Sequence, residues 1–198
     1  MSEPSPFPPN FSIATPHLKI HPFDPSNPAH CTFLVELWNT EDFISSCGKT
    51  GINTLAKASE FLQRRAIADY VRNGFGMFLL SRQSDMKLIG TVSLTKGAPP
   101  DPHYLAPDVG FSILPEENGK GYATEAAVGL LKYAKAQLGI DAVFGFCSAE
   151  NKRSCRVLEK IGLEFRGVKC LKVFGGQQSA VYASPEMSPD LGVYGLEE

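Results

Sequence analysis

The sequence predicts a mixed α/β fold built as one domain. Period-two and period-3.6 segments follow one another in the order β-α-α-β-β-β-α-β-α-β-β, without the regular βα alternation of a doubly wound fold. No internal repeat or low-complexity block divides the chain. Its 198 residues, 43% of them hydrophobic, fit a single core. The domain is expected over residues 16–184, with a flexible arm at 1–15 and an aperiodic tail at 185–198.

Each element has a local reason. His17 to Phe23 alternates and suits a first strand. Asn27-Pro28 opens a helix, because Asn caps and Pro fits the first turn. Cys31, Leu34, Val35 and Trp38 give that helix one apolar face, and residues 39–52 read as a loop. A second helix is expected from Thr54 to Arg72, ended by Asn73-Gly74. Phe75 to Ser81 and Lys87 to Leu94 form a hairpin around Arg82 to Met86. Four prolines stiffen the loop Thr95 to Pro107, and Val109 to Leu114 is a fourth strand. Gly121 to Leu138 repeats apolar residues at three and four and closes at Gly139. Ala142 to Cys147 is apolar throughout, so a central fifth strand. A short helix starts at Asn151 and stops at Gly162, with Cys155, Leu158 and Ile161 inward. Leu163 to Phe174 and Gln178 to Ala183 flank a Gly175-Gly176 turn.

Composition narrows the function classes. Nineteen basic and 21 acidic residues leave a net charge of −2, without the basic excess of a dedicated nucleic-acid binder. No apolar run approaches the ~18 residues needed to span a bilayer, so no membrane role is expected. The proline-rich start MSEPSPFPPNFS lacks the basic and apolar regions of a secretory signal, and the expected location is the cytoplasm. Five cysteines, odd in number and without a C-x-x-C pair, read as reduced and mostly buried thiols rather than a metal site.

The chemistry starts in ENGKGYATEA, residues 117–126. A strand, a short glycine loop and a helix start aim free backbone N–H groups at one point, where the helix dipole favours an anion. Phosphate is the natural guest. The P-loop pattern fails, because Gly121 follows Lys120 and Leu114 stands five before Gly119. The dinucleotide fingerprint fails too, because Thr124 stands where glycine is needed. A tight loop that only starts a helix is the plain alternative.

A second segment decides between these readings. VGFSILPEENGKGYATEA followed by NKRSCRVLEKIGLEF resembles the GNAT superfamily of N-acetyltransferases, in particular the branch with the ribosomal-protein N-terminal acetyltransferases. Gly119 and Gly121 match the acetyl-CoA signature [QR]-x-x-G-x-[GA]. Asn151, Ser154, Val157, Leu158, Lys160, Gly162 and Leu163 match the helix-and-turn motif that follows. One departure is Glu116 at the first signature position, which removes a positive contact. The resemblance implies a GNAT-like α/β fold: a mostly antiparallel, splayed, seven-stranded sheet with about four helices.

It also implies roles. The N–H groups of Gly119, Lys120, Gly121, Tyr122, Ala123 and Thr124 would bind the pyrophosphate of acetyl-CoA, the cosubstrate, with no metal. The pantetheine arm would pair with Phe111, Ser112 and Ile113 where the fourth and fifth strands splay. Asn151, also a plain helix cap, and Ser154 would lie beside it. Lys120, Lys152, Arg153 and Arg156 could reach the adenosine phosphates, though each also reads as a solvated surface charge. The implied reaction is direct attack of a primary amine on the thioester within a ternary complex. Asp108 is the first candidate base, with His103 and Tyr104 as second candidates, and an N–H near Ile113 could polarise the thioester carbonyl. Many relatives carry a tyrosine acid where this chain has Leu158, which cannot donate. Ser148, Ser154 or water are left for that task.

A different class of function stays open: a non-catalytic acyl-CoA-binding or sensing module on the same fold. The acceptor, a protein N-terminus or a small amine, depends on loops 39–53 and 95–107 and is not legible. Nor is the choice between monomer and homodimer.

Overall fold

In a computed structural model, residues 6–97 and 103–198 are described. The first five residues of the expected arm, and residues 98–102 of the proline-rich loop, lie outside them. The strands are β1 (Ile13–Ala14), β2 (Leu18–Pro22), β3 (Met77–Arg82), β4 (Leu88–Thr95), β5 (Asp108–Ile113), β6 (Phe144–Cys147), β7 (Glu164–Cys170) and β8 (Gln178–Ala183). The helices are α1 (Pro28–Trp38), α2 (Glu41–Cys47), α3 (Leu55–Phe61), α4 (Ile67–Asn73), α5 (Tyr122–Leu138) and α6 (Lys152–Lys160). A π-helical turn, Leu62–Ala66, joins α3 to α4, so the two form the single helix expected from Thr54.

The strands make one sheet in the order β1-β2-β3-β4-β5-β6-β8-β7. Neighbours are antiparallel except β5 and β6. Parallel neighbours need a crossover, and α5 provides it. β4 and β5 pair from Gly90↔Ile113 to Thr95↔Asp108. β5 and β6 pair only at Asp108↔Phe144, and beyond that point the strands separate.

Both faces of the sheet are covered, which explains the continuous apolar strands. On β3, Phe78 and Leu80 face the α5 side, with Ala126, Ala127, Leu130 and Ala134. Leu79, pointing the other way, joins Phe33, Leu34 and Leu37 of α1 and Ala58 of α3. A third cluster closes the base of the splay: Tyr104, Phe144, Val181 and Ala183 pack with Met187, Leu191 and Leu196. Among the described residues no helix is long and apolar enough to cross a membrane.

The mixed α/β reading holds, with corrections of detail. Among the described residues the sheet has eight strands rather than seven, and there are five helices rather than about four, with α3 and α4 counted as one. The added strand is β1, a two-residue edge whose Ile13 pairs with Ile20. Over its described part the arm is not free: Phe11 lies 5.4 Å from Tyr133 and 5.8 Å from Phe78, ring to ring. The tail also carries structure, because Leu105 N–H donates to Tyr194 C=O at 2.8 Å. The added helix α2 replaces part of the 39–52 loop. Thr40 caps it, accepting from Phe43 N–H at 3.2 Å, and Glu41 and Asp42 favour its first turn.

A buried polar contact links β2 to β3. His21 Nε2 lies 2.5 Å from Ser81 Oγ, and Ser81 is 1% exposed. Burial, reinforced by His30, lowers the His21 pKa from 6.5 to about 4. Below about pH 6.5 the unfolded chain takes up a proton that the folded chain refuses until about pH 4, so stability falls as pH drops through that window. His21→Asn is expected to flatten this slope in urea titrations run between these limits. An unaltered slope would mean that other groups carry the acid sensitivity.

Candidate active site

The separation of β5 and β6 opens a cavity of about 530 Å³. Val109 to Ile113 form one wall and Phe146, Cys147 and Ser148 the opposite one. β5 is hydrogen-bonded to β4 on one edge, and its other edge faces the cavity from Val109 onward. Gly145 lets α6 settle against β6: a Cβ there would stand 2.5 Å from Leu158 Cδ2. Leu158 is buried, so at this position the chain has a packing residue and no proton donor.

At the far end of β5 the cavity meets the N-terminus of α5. Gly119 and Gly121 take φ of +78° and +85°, a left-handed conformation that disfavours other residues, and open space surrounds both. The first i→i−4 bond of α5 runs from Glu125 N–H to Gly121 C=O. The N–H groups of Tyr122, Ala123 and Thr124 precede it and have no intrahelical partner. All three residues line the cavity.

The loop beneath this cradle is held by a carboxylate that sequence reading passed over. Glu117 is 3% exposed and meets Lys120 Nζ at 2.7 Å, Lys87 Nζ at 3.1 Å and Arg82 Nη1 at 3.2 Å. The Lys120 hydrogen bond, with Lys87 and Arg82, holds the Glu117 pKa below the usual carboxylate range despite burial. Lys120 is therefore spent on Glu117 and is absent from the cavity wall. Lys152 donates to Ala149 C=O at 2.8 Å and is absent from it too. The cations in the wall are Arg153, Arg156 and Lys160, all from α6.

α2 bridges the two banks of the cavity. Its Asp42 accepts from Asn118 Nδ2 at 2.8 Å on the glycine-loop side and pairs with Arg153 at 3.1 Å on the α6 side. Asn151 caps α6, accepting from Ser154 N–H at 3.1 Å, and its amide donates to Ser46 of α2 at 3.2 Å. Trp38 and Phe43 stack 5.4 Å apart and both line the cavity. The signal for α2 was in the sequence, as a capping threonine followed by two acids.

The structure thus brings Phe111, Ser112, Ile113, Gly119, Gly121, Tyr122, Ala123, Thr124, Ser148, Asn151 and Ser154 to one cavity. It leaves Lys120, Asp108 and His103 outside the wall. His103 is exposed. Asp108 sits at the apex where β5 and β6 last pair, and it is no exposed loop aspartate. Its Oδ1 accepts from Thr95 Oγ1 at 2.9 Å and from the Tyr104 hydroxyl. Burial raises its pKa, opposed by those two hydrogen bonds. The thiols also differ from expectation: Cys31 is buried, Cys147 and Cys155 are half-buried, and Cys47 and Cys170 are exposed.

Because Glu117 is the only buried member of its cluster, neutralising it removes the shared partner of three cations. Glu117→Gln is expected to lower folding stability by about 2–3 kcal/mol, discounted because the cations are partly exposed. Urea denaturation reads this, and an unchanged midpoint would show that the cluster contributes nothing.

Comparison with known proteins agrees with this architecture. The model of the Acetyltransferase (GNAT) domain family matches residues 17–164. A relative from Bacillus subtilis (strain 168), named uncharacterized N-acetyltransferase YnaD, is 35% identical over 66 residues, 32% of this chain and 39% of that protein. The chain spans 39%, 49% and 65% of the length of three curated relatives it matches. An acetyltransferase (GNAT family) from Bacillus anthracis has a similar fold, with a TM-score of 0.69 at 23% identity over 87% of this chain and 97% of that one. So has RimL, a ribosomal L7/L12 alpha-N-protein acetyltransferase solved in complex with coenzyme A, with a TM-score of 0.72 at 17% identity over 87% and 97%. With a family model covering β2 to β6, α5 and α6, this chain belongs to the GNAT acetyltransferase family.

Proposed function

We propose that the chain is an acetyl-CoA-dependent N-acetyltransferase that passes the acetyl group to a primary amine by direct attack in a ternary complex. One observation carries the reading: the cavity between the separated β5 and β6 runs into the open N–H groups at the start of α5. A strand edge suits the amides of a pantetheine arm, and a helix N-terminus suits a pyrophosphate. RimL, which shares the fold, is a coenzyme A complex, and this supports the same ligand class here.

In this reading Phe111, Ser112 and Ile113 pair with pantetheine, and Gly119 to Thr124 cradle the pyrophosphate through backbone N–H groups. Lys120 supports the loop through Glu117 and does not reach the phosphates. Arg153 and Arg156 supply the positive charge, with Arg153 exchanging Asp42 for phosphate. Asn151 and Ser154 border the pantetheine. The amine attacks the thioester carbonyl, a strand N–H near Ile113 stabilises the oxyanion, and the intermediate expels the thiolate of coenzyme A.

Asp108 is the proposed base, taking the ammonium proton through an intervening water from its place at the apex. Tyr104 and Thr95 hold its carboxylate. Ser148, in the wall at the end of β6, is the proposed proton donor to the thiolate. His103 lies off this path. The acceptor is a protein N-terminus or a small amine, and the enclosing surface of Trp38, Phe43 and Met77 gives it an apolar approach.

Purified protein, acetyl-CoA and a panel of peptide N-termini, polyamines, aminoglycosides and amino sugars should release thiol on at least one amine. Calorimetric binding with no thiol release on any of them would instead mark a sensing module. Gly121→Glu adds a carboxylate where φ is +85°, and is expected to abolish acetyl-CoA binding while the protein stays folded by circular dichroism. Normal binding by that variant would place the pyrophosphate elsewhere.

Asp108 must be deprotonated to act, and burial raises its pKa, so activity is expected to fall with decreasing pH through a limb above the ordinary aspartate range of about 4. Asp108→Asn should lower kcat by about 10²-fold or more and remove that limb. A retained limb in the variant would assign the base to another group.

A further inference from the structure

Two thiols meet beside the cavity without any sequence pattern to announce them. Cys147 ends β6 and lines the cavity; Cys155 stands on α6, eight residues later. Their Sγ atoms are 3.5 Å apart. Cys155 N–H is bonded to Asn151 C=O at 3.0 Å, and its Sγ also lies 3.9 Å from Ser148 C=O, so the helix start holds the sulfur in place. Both cysteines are half-buried, so small oxidants can reach them, while Cys31 is buried and Cys47 and Cys170 are exposed.

We propose that Cys147 and Cys155 are an oxidation site that closes reversibly to a disulfide tying α6 to β6 within the cavity wall. The required oxidant is a hydroperoxide. The Cys155 thiolate attacks the peroxide oxygen, giving the sulfenic acid and releasing alcohol or water. The Cys147 sulfur then attacks the sulfenic sulfur, and its proton leaves with the hydroxyl as water. In total two thiols lose two electrons and two protons to one peroxide, which becomes alcohol and water, or two waters for hydrogen peroxide. Burial and the neighbouring Cys155 push the Cys147 pKa up to about 12, so Cys147 keeps its proton until the second step. Reduction by a dithiol reverses the bond.

Closing the bond moves the sulfurs from 3.5 Å to about 2 Å apart, drawing β6 and α6 together. Asn151, Ser154, Arg153 and Arg156 ride on that end of α6 and line the same cavity. The oxidised chain therefore binds acetyl-CoA more weakly. This consequence rests on the acetyl-CoA reading; the cross-link itself does not.

The test treats the full chain with hydrogen peroxide, blocks remaining thiols, and digests with trypsin. Lys152 and Arg153 lie between the two cysteines, so a disulfide appears as two tryptic peptides joined through residues 147 and 155. The expected result is that joined pair, its loss on treatment with dithiothreitol, and its absence in Cys155→Ser. Recovery of both cysteines as alkylated thiols, or their pairing with residue 31, 47 or 170, would overturn the proposal. Calorimetry on oxidised and re-reduced protein reads the consequence. A joined pair with undiminished acetyl-CoA binding, alongside normal binding by the reduced chain, would overturn the proposed effect on the cavity. Absence of binding by the reduced chain would instead sink the acetyl-CoA reading and leave the cross-link standing.

Discussion

Everything near the site follows from the single residue pair that joins β5 to β6, Asp108↔Phe144. Had the parallel ladder continued, the backbone groups of Val109 to Ile113 would be satisfied within the sheet and no cavity would exist. The ladder stops there, and beyond it each strand is paired only on its far edge. β5 is zipped to β4 along its whole length, and β6 is zipped to β8 from Phe144↔Ala183 to Cys147↔Ala180. The apex is clamped by an aromatic cluster in which Tyr104 meets Phe144 and Phe146 edge-on. Above that clamp the two half-sheets diverge, each with one edge unpaired and facing the other.

In the proposed function the unpaired edges and the helix start would divide the work of binding between backbone and charge. Direction and hydrogen bonding would come from main-chain N–H groups, set by the left-handed glycines at 119 and 121. The cations that line the cavity come from α6, not from the lysine inside the glycine loop. Lys120 is consumed by Glu117, a buried carboxylate that also gathers Lys87 and Arg82 and fixes the loop between β5 and α5. Glu117 itself borders the cavity, and the three cations around it offset its charge.

Much of the fold was legible because the decisive patterns are local. The Asn27 and Asn151 caps, the glycine stops at 74 and 139 and the α5 apolar stripe all stand where the sequence reading expected them. The misses are short or aperiodic. Seven residues of α2 carry no buried side chain, so no apolar period marked it. β1 is two residues long and exists only because β2 offers an edge. The arm and tail read as unstructured, yet Phe11 and Leu191 find partners far away in the chain.

The sequence by itself determined the family, the order of the longer elements and the glycine loop before α5, since each rests on residues adjacent along the chain or on backbone conformations that only glycine takes easily. Tertiary structure alone decided which side chains face the cavity. Lys120 and Asp108, natural candidates in sequence, were turned to Glu117 and to Tyr104 and Thr95, because a charge or a half-buried carboxylate goes to its nearest strong partner. The Cys147–Cys155 contact belongs to the same class. Eight residues separate them in the chain, and only the packing of α6 on Gly145 brings the two sulfurs together.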